Sequence, residues 1–295
     1  MYRILSIFLI FICLSAGCIT DNSKINTGQI NDLKETQQIS LITPGGDLSI
    51  YNGQVVYNGL IGADIPEFFS NYSTGYITIE TGNATPLHRL LNRSEFIFII
   101  KGEAEILCDD SLVNAKKGEG IILPKGVLQS VKSTGQEELR YINVVSPGYS
   151  AESEVLGDEL SRLNITAKSN PIIISSPTKG IEWDIGSDMM IYSLANPVLM
   201  PDLNIPFDYS VAYAEFLHGG VVDNNYLDGL SELICVIEGE IEVYTPDGSN
   251  ITVPAGSAAF VPSNQTKGYR NSCESVSKVL SFVDPAWIPE QSFAI

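Results

Sequence analysis

Apolar residues along this chain come in short runs separated by turn residues. Copy-like runs at Gly75–Glu80, Glu95–Ile100, Ala104–Leu107, Gly120–Leu123 and Leu139–Val145 are punctuated by Gly, Pro, Asn and Asp. A second series follows at Val211–Leu217, Leu233–Ile237, Ile241–Tyr244, Ala258–Val261 and Lys278–Val283. Runs of four to eight branched and aromatic residues between breakers read as strands, and this spacing points to an all-β sandwich or barrel of mainly antiparallel sheet. Further strands are expected near Leu48–Leu60 and Pro171–Leu194. Helical spacing is clearest at Ala151–Asn164, where Val155, Leu156, Leu160 and Leu163 could share one face, so one short connecting helix is expected there.

The two series are one series repeated. Shifted by 137, Tyr72 falls on Tyr209, Tyr76 on Tyr213, Gly82 on Gly219, Glu95 on Glu232 and Gly102 on Gly239. IKGEAEI (Ile100–Ile106) falls on IEGEIEV (Ile237–Val243). With one more residue of offset, Gly118 falls on Gly256, Pro124 on Pro262, Pro147 on Pro285 and Tyr149 on Trp287. A period this long is a duplicated domain rather than a solenoid repeat. The four tyrosines are expected to pack with polar tips or to line a cavity.

The spacing of these residues resembles the cupin superfamily, in which Gly-x5-His-x-His-x4-Glu-x6-Gly is followed by Gly-x5-Pro-x-Gly-x2-His-x3-Asn. The first copy supplies Gly82, His88, Leu90, Glu95 and Gly102, then Gly118, Pro124, Gly126, Gln129 and Ser133. The second supplies Gly219, Asn225, Leu227, Glu232 and Gly239, then Gly256, Pro262, Asn264, Lys267 and Asn271. The resemblance implies two tandem jelly-roll β-barrels, with domains at 41–150 and 171–295 and a helical linker at 151–170. It also implies a divalent ion held by three histidines and a glutamate in each barrel. This chain has only His88 and His218, so no barrel can assemble that set.

In the first copy, His88, Glu95 and Gln129 are the expected ligand-binding residues. They could hold one divalent ion weakly, form a hydrogen-bonded interior group, or face a cavity and bind an organic molecule. In the second copy no metal is expected. There Lys267 either takes the ion's place and pairs with Glu232, or points to solvent at the barrel mouth. The second barrel is accordingly expected to be structural.

Composition narrows the setting. The formal net charge is −18 over 295 residues, which excludes nucleic acid as a partner, since phosphates need a basic footprint. The first 18 residues (1–18) combine Arg3, an apolar core from Ile4 to Leu14 and the sequence Leu14-Ser15-Ala16-Gly17-Cys18. This resembles a lipoprotein export signal, with Cys18 the acylated residue. Residues 19–40 are polar and read as a tether. The expectation is an extracytoplasmic protein, lipid-anchored to the cell membrane, monomeric or homodimeric. It would bind a small polar molecule in its first barrel with little or no catalysis. The alternatives are a metal-dependent hydrolase, isomerase or oxygenase using His88, Glu95 and Gln129, and a purely structural surface module. Cys108, Cys235 and Cys273 lie beyond the signal, and no CxxC motif marks a zinc or redox site.

Overall fold

A computed structural model describes residues 38–62, 70–186 and 188–295. The expected export signal, Cys18 and nearly all of the expected tether lie outside them. Each expected strand is present, within a residue or two of its expected ends. Four antiparallel sheets form two β-barrels, each made of one seven-stranded and one five-stranded sheet.

In the first barrel the larger sheet is centred on Ser94–Lys101, Leu139–Ser146 and Ser73–Ile79. Its smaller sheet carries His88–Leu90, Leu128–Ser133, Glu103–Cys108 and Ser111–Lys116. The second barrel repeats the plan with Ser231–Glu238, Ser277–Asp284 and Ser210–Phe216 in the larger sheet. Val221–Leu227, Lys267–Arg270 and Glu240–Tyr244 lie in the smaller one. The repeated turn glycines are needed by the backbone. Gly102 has φ +78°, and a Cβ there would lie 2.7 Å from the carbonyl oxygen of Glu138. Gly239 has φ +72° and is crowded in the same way by Ser277.

Strand Ser94–Lys101 is apolar on both faces because both are covered. Ile97 and Ile99 point into the first barrel with Ile77, Ile106, Ile121 and Tyr141. Phe96 and Phe98 point the other way, into a core shared by the two barrels. There Phe96 meets Phe282 edge-on at 6.0 Å between ring centroids, Phe98 lies 6.1 Å from Tyr213, and Tyr72 lies 5.1 Å from Tyr209. The four aligned tyrosines are therefore packing residues between the barrels.

Two three-residue strands cross over. Ser40–Ile42 pairs with Ala258–Phe260 of the second barrel, and Ile172–Ile174 pairs with Gly120–Ile122 of the first. Each barrel thus completes its larger sheet with a strand that precedes the other barrel in sequence.

The segment Ala151–Asn164 differs from the expected helix. It makes a 3-10 turn at Ala151–Ser153, a strand at Glu154–Leu156 and a second 3-10 turn at Gly157–Arg162. Gly157 at φ +55° interrupts any helix. The strand gains its hydrogen bonds from the edge of His88–Leu90, which brings Glu154 to the first barrel. The equivalent strand in the second barrel is Ser292–Ala294, paired with Asn225–Leu227. Cys108, Cys235 and Cys273 are all free thiols. Cys235 belongs to the inter-barrel core. Burial pushes the Cys108 thiol up to about 12.

Candidate functional site

The first barrel brings His88, Glu95 and Gln129 together. His88 and Gln129 are cross-strand partners, and Glu95 projects inward from the neighbouring sheet. His88 Nδ1 lies 2.8 Å from the carbonyl oxygen of Pro86. A carbonyl only accepts, so Nδ1 carries the hydrogen and Nε2 presents a lone pair. That lone pair accepts from Gln129 Nε2 at 3.1 Å. The same amide donates to Glu95 Oε2 at 2.5 Å, and Asn143 donates to Glu95 Oε1 at 3.2 Å. Burial raises the Glu95 carboxyl above the usual range, against the opposing pull of His88, Asn143 and Gln129.

Glu154 closes this cluster. It lies 4.0 Å from His88 Nε2 and accepts hydrogen bonds from the hydroxyls of Tyr51 and Tyr149. Burial, with Glu154 next, raises both tyrosines. None of Glu154, Tyr51 or Asn143 is marked by the sequence motifs. Glu154 in particular lay in a stretch read as helix.

A metal ion needs lone pairs that converge on an open point. Here His88 Nε2 and Glu95 Oε2 both accept from one Gln129 amide, and Glu95 Oε1 accepts from Asn143. Among the described residues no three His, Cys, Asp or Glu side chains are grouped to hold an ion. The donors present do not fit the ion site that the family resemblance implies.

In the second barrel, Lys267 takes Gln129's place opposite Asn225, as the register requires. It does not reach solvent: the residue is 1% exposed. Its Nζ donates to Asn225 Oδ1 at 2.7 Å and lies 3.5 Å from Glu232 Oε2. Asn225 Nδ2 is fixed by the carbonyl of Asp223 at 2.8 Å, which aims Oδ1 at the lysine. Glu232 accepts from Tyr269 at 2.6 Å and from Ser281 at 2.7 Å. Burial lowers the Lys267 amine, opposed by Glu232. Burial, with Glu232 next, raises Tyr269.

Above this group lies a cavity of about 460 Å³. Its walls are mainly apolar, with Ile191, Ala214, Ile234, Val279 and Val283 among them. Trp183 and Trp287 also line it, their rings edge-to-face at 5.0 Å. Asn224 contributes a buried Oδ1 with no hydrogen-bond partner among the described residues.

The cavity has a cause in the residues. In the first barrel Tyr141 sits opposite Ile77, and both are buried. The equivalent cross-strand pair in the second is Val279 opposite Ala214. Asn143 becomes Ser281, and Glu154 becomes Ser292. These four inward side chains shrink, although Ile79 to Phe216 and Val131 to Tyr269 grow. All four small residues line the cavity. This signal was available in the internal alignment, at positions no ligand motif covers.

His218 is exposed, with Nδ1 2.9 Å from the carbonyl of Cys273, and stands apart from both sites.

Residues 75–145 match the cupin domain family model. Solved structures extend the likeness across both halves. The oxalate decarboxylase of Lactobacillus farciminis, in a formate complex, is 12% identical with a TM-score of 0.66, covering 92% of this chain and 90% of that one. A glutamate-to-alanine mutant of the Bacillus subtilis oxalate decarboxylase is 13% identical with a TM-score of 0.66, covering 88% and 79%. By fold, the chain is a bicupin. A search of curated proteins by sequence finds no match. At this identity the likeness speaks for the fold of the bicupin and not for its chemistry.

Proposed function

We propose that this bicupin binds a small neutral organic molecule in its second barrel, and that the first barrel is a closed support. This reverses the assignment expected from the cupin motifs. The observation that carries it is the cavity of about 460 Å³ with a charge-balanced polar floor. That volume is within the usual range for small-molecule sites, and apolar walls with a few convergent polar groups are their usual make-up.

Charge selects the ligand class. Lys267 and Glu232 sum to zero whichever holds the proton. The remaining carboxylate of the lining, Asp223, is exposed and adds negative charge at the rim. A carboxylate ligand would leave a net negative charge in a mainly apolar cavity, and a dicarboxylate such as oxalate two. A neutral molecule meets no such cost. Lys267 offers it a donor. A carbonyl or ether oxygen on an apolar frame would satisfy it.

The expected location is extracytoplasmic, through acylation of Cys18, and a monomer suffices because both barrels lie in one chain. Fatty-acid labelling lost in Cys18→Ala tests the anchor.

Both tryptophans of the protein line the cavity, so tryptophan fluorescence, excited selectively, reports on this site. A panel of neutral alcohols, ketones and sugars is titrated against fluorescence and melting temperature, beside oxalate and formate. Neutral compounds should shift both signals and raise the melting temperature. Stabilisation by oxalate alone would overturn the reading. So would stoichiometric Mn, Fe, Ni or Zn that is lost in His88→Ala, which would favour the metal-dependent enzyme.

A further inference from the structure

We infer that Lys267 is a carbonyl-reactive amine, and that the second barrel captures a small aldehyde or ketone as an imine. The inference rests on the cavity being the ligand site and adds the chemistry of its floor.

Three observations on the page support it. Lys267 lines a mainly apolar cavity and is itself 1% exposed. Its two polar neighbours are both acceptors: Asn225 Oδ1 at 2.7 Å and Glu232 Oε2 at 3.5 Å. A neutral amine has two N–H groups, one for each, and its lone pair is then left for a guest. The ammonium has a third N–H, whose recorded contact is the face of the Tyr269 ring, 5.8 Å from Nζ to the centroid; losing one proton to Glu232 leaves that lone pair. Burial also favours the uncharged form of this amine. Desolvation in an apolar pocket is a known route to a nucleophilic lysine.

Glu232 completes the site. It is within reach of Nζ, and Tyr269 and Ser281 hold both of its oxygens. It can take the proton that the ammonium must lose. The amine lone pair then forms a C–N bond to the carbonyl carbon, and the C=O π pair moves to oxygen, which takes the proton from Glu232. A second proton passes from nitrogen through Glu232 to the same oxygen. The C–O bond breaks, water leaves, and the nitrogen lone pair forms C=N. The sum is carbonyl plus ammonium giving protonated imine plus water, with Glu232 returned to its starting state. No oxidant or reductant is consumed.

The first barrel shows what is missing elsewhere. Gln129 stands at the equivalent position, and its amide nitrogen is already shared between His88 and Glu95. An amide nitrogen is not a nucleophile, and Glu154, held by Tyr51 and Tyr149, covers the cluster.

The test uses the intact protein at neutral pH with butanal or glyceraldehyde as probe and sodium cyanoborohydride to reduce any imine. Peptide mass spectrometry then compares Lys267 with the exposed Lys117 and Lys168. Lys267 should be alkylated at least tenfold faster than either, and excess butan-1-ol or glycerol should slow it. Glu232→Gln should reduce the rate at Lys267 while leaving Lys117 and Lys168 unchanged. Unmodified Lys267 beside alkylated surface lysines would overturn the inference. Tryptophan fluorescence separates the two levels. If butan-1-ol or glycerol binds and no adduct forms, the imine fails and the cavity reading stands. If neither alcohol binds and no adduct forms, both fall.

Discussion

Lys267→Met tests the electrostatic floor of the second barrel. Methionine keeps most of the volume and removes the amine. Glu232 then keeps the hydroxyls of Tyr269 and Ser281 and loses its cation. Breaking a buried pair by removing one partner costs roughly 3–5 kcal/mol. The lower end applies here, because two hydroxyl donors remain and the cavity can admit water beside the carboxylate. For a body of this size, about 3 kcal/mol corresponds to a fall of roughly 6–12 °C in melting temperature. Glu232→Gln on the Lys267→Met background removes the stranded charge. The double variant should recover about 2 kcal/mol of the loss, as a positive coupling between contacting residues. The assay is thermal and urea unfolding by circular dichroism at pH 7 for the parent, both singles and the double. If Lys267→Met melts within about 1 °C of the parent, or the double is no more stable than Lys267→Met, the two side chains are not a coupled pair and the charge argument for a neutral ligand loses its base.

The other predictions concern volume, protonation and cooperativity. Ala214→Ile restores the bulk that Ile77 has in the first barrel. It should stabilise the protein by about 2 kcal/mol, at ~0.8 kcal/mol per buried carbon, while abolishing fluorescence changes with neutral ligands; unchanged binding would show that the guest lies elsewhere. Glu95→Gln mimics the protonated carboxyl that burial favours. The folded-state value is raised, so its favourable contribution is complete below the unfolded value and is lost as pH rises through the folded one. The variant's advantage in melting temperature should therefore grow from pH 4 to pH 7, and a constant gap would refute the raised value. Ile42→Ala and Ile174→Ala each trim a crossed-over strand that is buried in the shared core. Each should cost about 2 kcal/mol with one calorimetric transition retained, whereas two separable transitions would show that the barrels fold independently.

The sequence made some of this legible and hid the rest for physical reasons. Turn glycines and strand runs could be read because they answer local demands, positive φ at Gly102 and Gly239 and two-sided burial at Ser94–Lys101. The segment after Ser150 departs from the helix that its four apolar residues at helical spacing predict. In the fold, Gly157 and the free edge of His88–Leu90 decide the outcome. Three-residue strands such as Ser40–Ile42 and Ile172–Ile174 carry no local mark of which barrel they join. Metal motifs drew attention to His88, Glu95 and Gln129, which do meet. They say nothing of Tyr141, Ile77 or Glu154, whose smaller counterparts make the cavity.

Both barrels bury a carboxylate at the same strand position, Glu95 and Glu232, and resolve it differently. Around Glu95 the direct partners are amides, with an imidazole nearby, and the carboxyl is pushed toward its neutral form. Around Glu232 a cation and two hydroxyls are present. The first solution ties the imidazole and the carboxyl to amides within the barrel. The second keeps an amine on a residue that lines a cavity, and it needs firm walls to hold that space. The shared core supplies them. Along strand Ser231–Glu238, Glu232 and Ile234 face the cavity while Leu233 and Cys235 are buried against the first barrel. Strand Ser277–Asp284 does the same, with Val279 and Ser281 inward and Leu280 and Phe282 outward. The first barrel thus packs against the outer faces of the strands that line the cavity of the second. That preorganises the site, which reduces the ordering cost of binding in a pocket with few polar contacts.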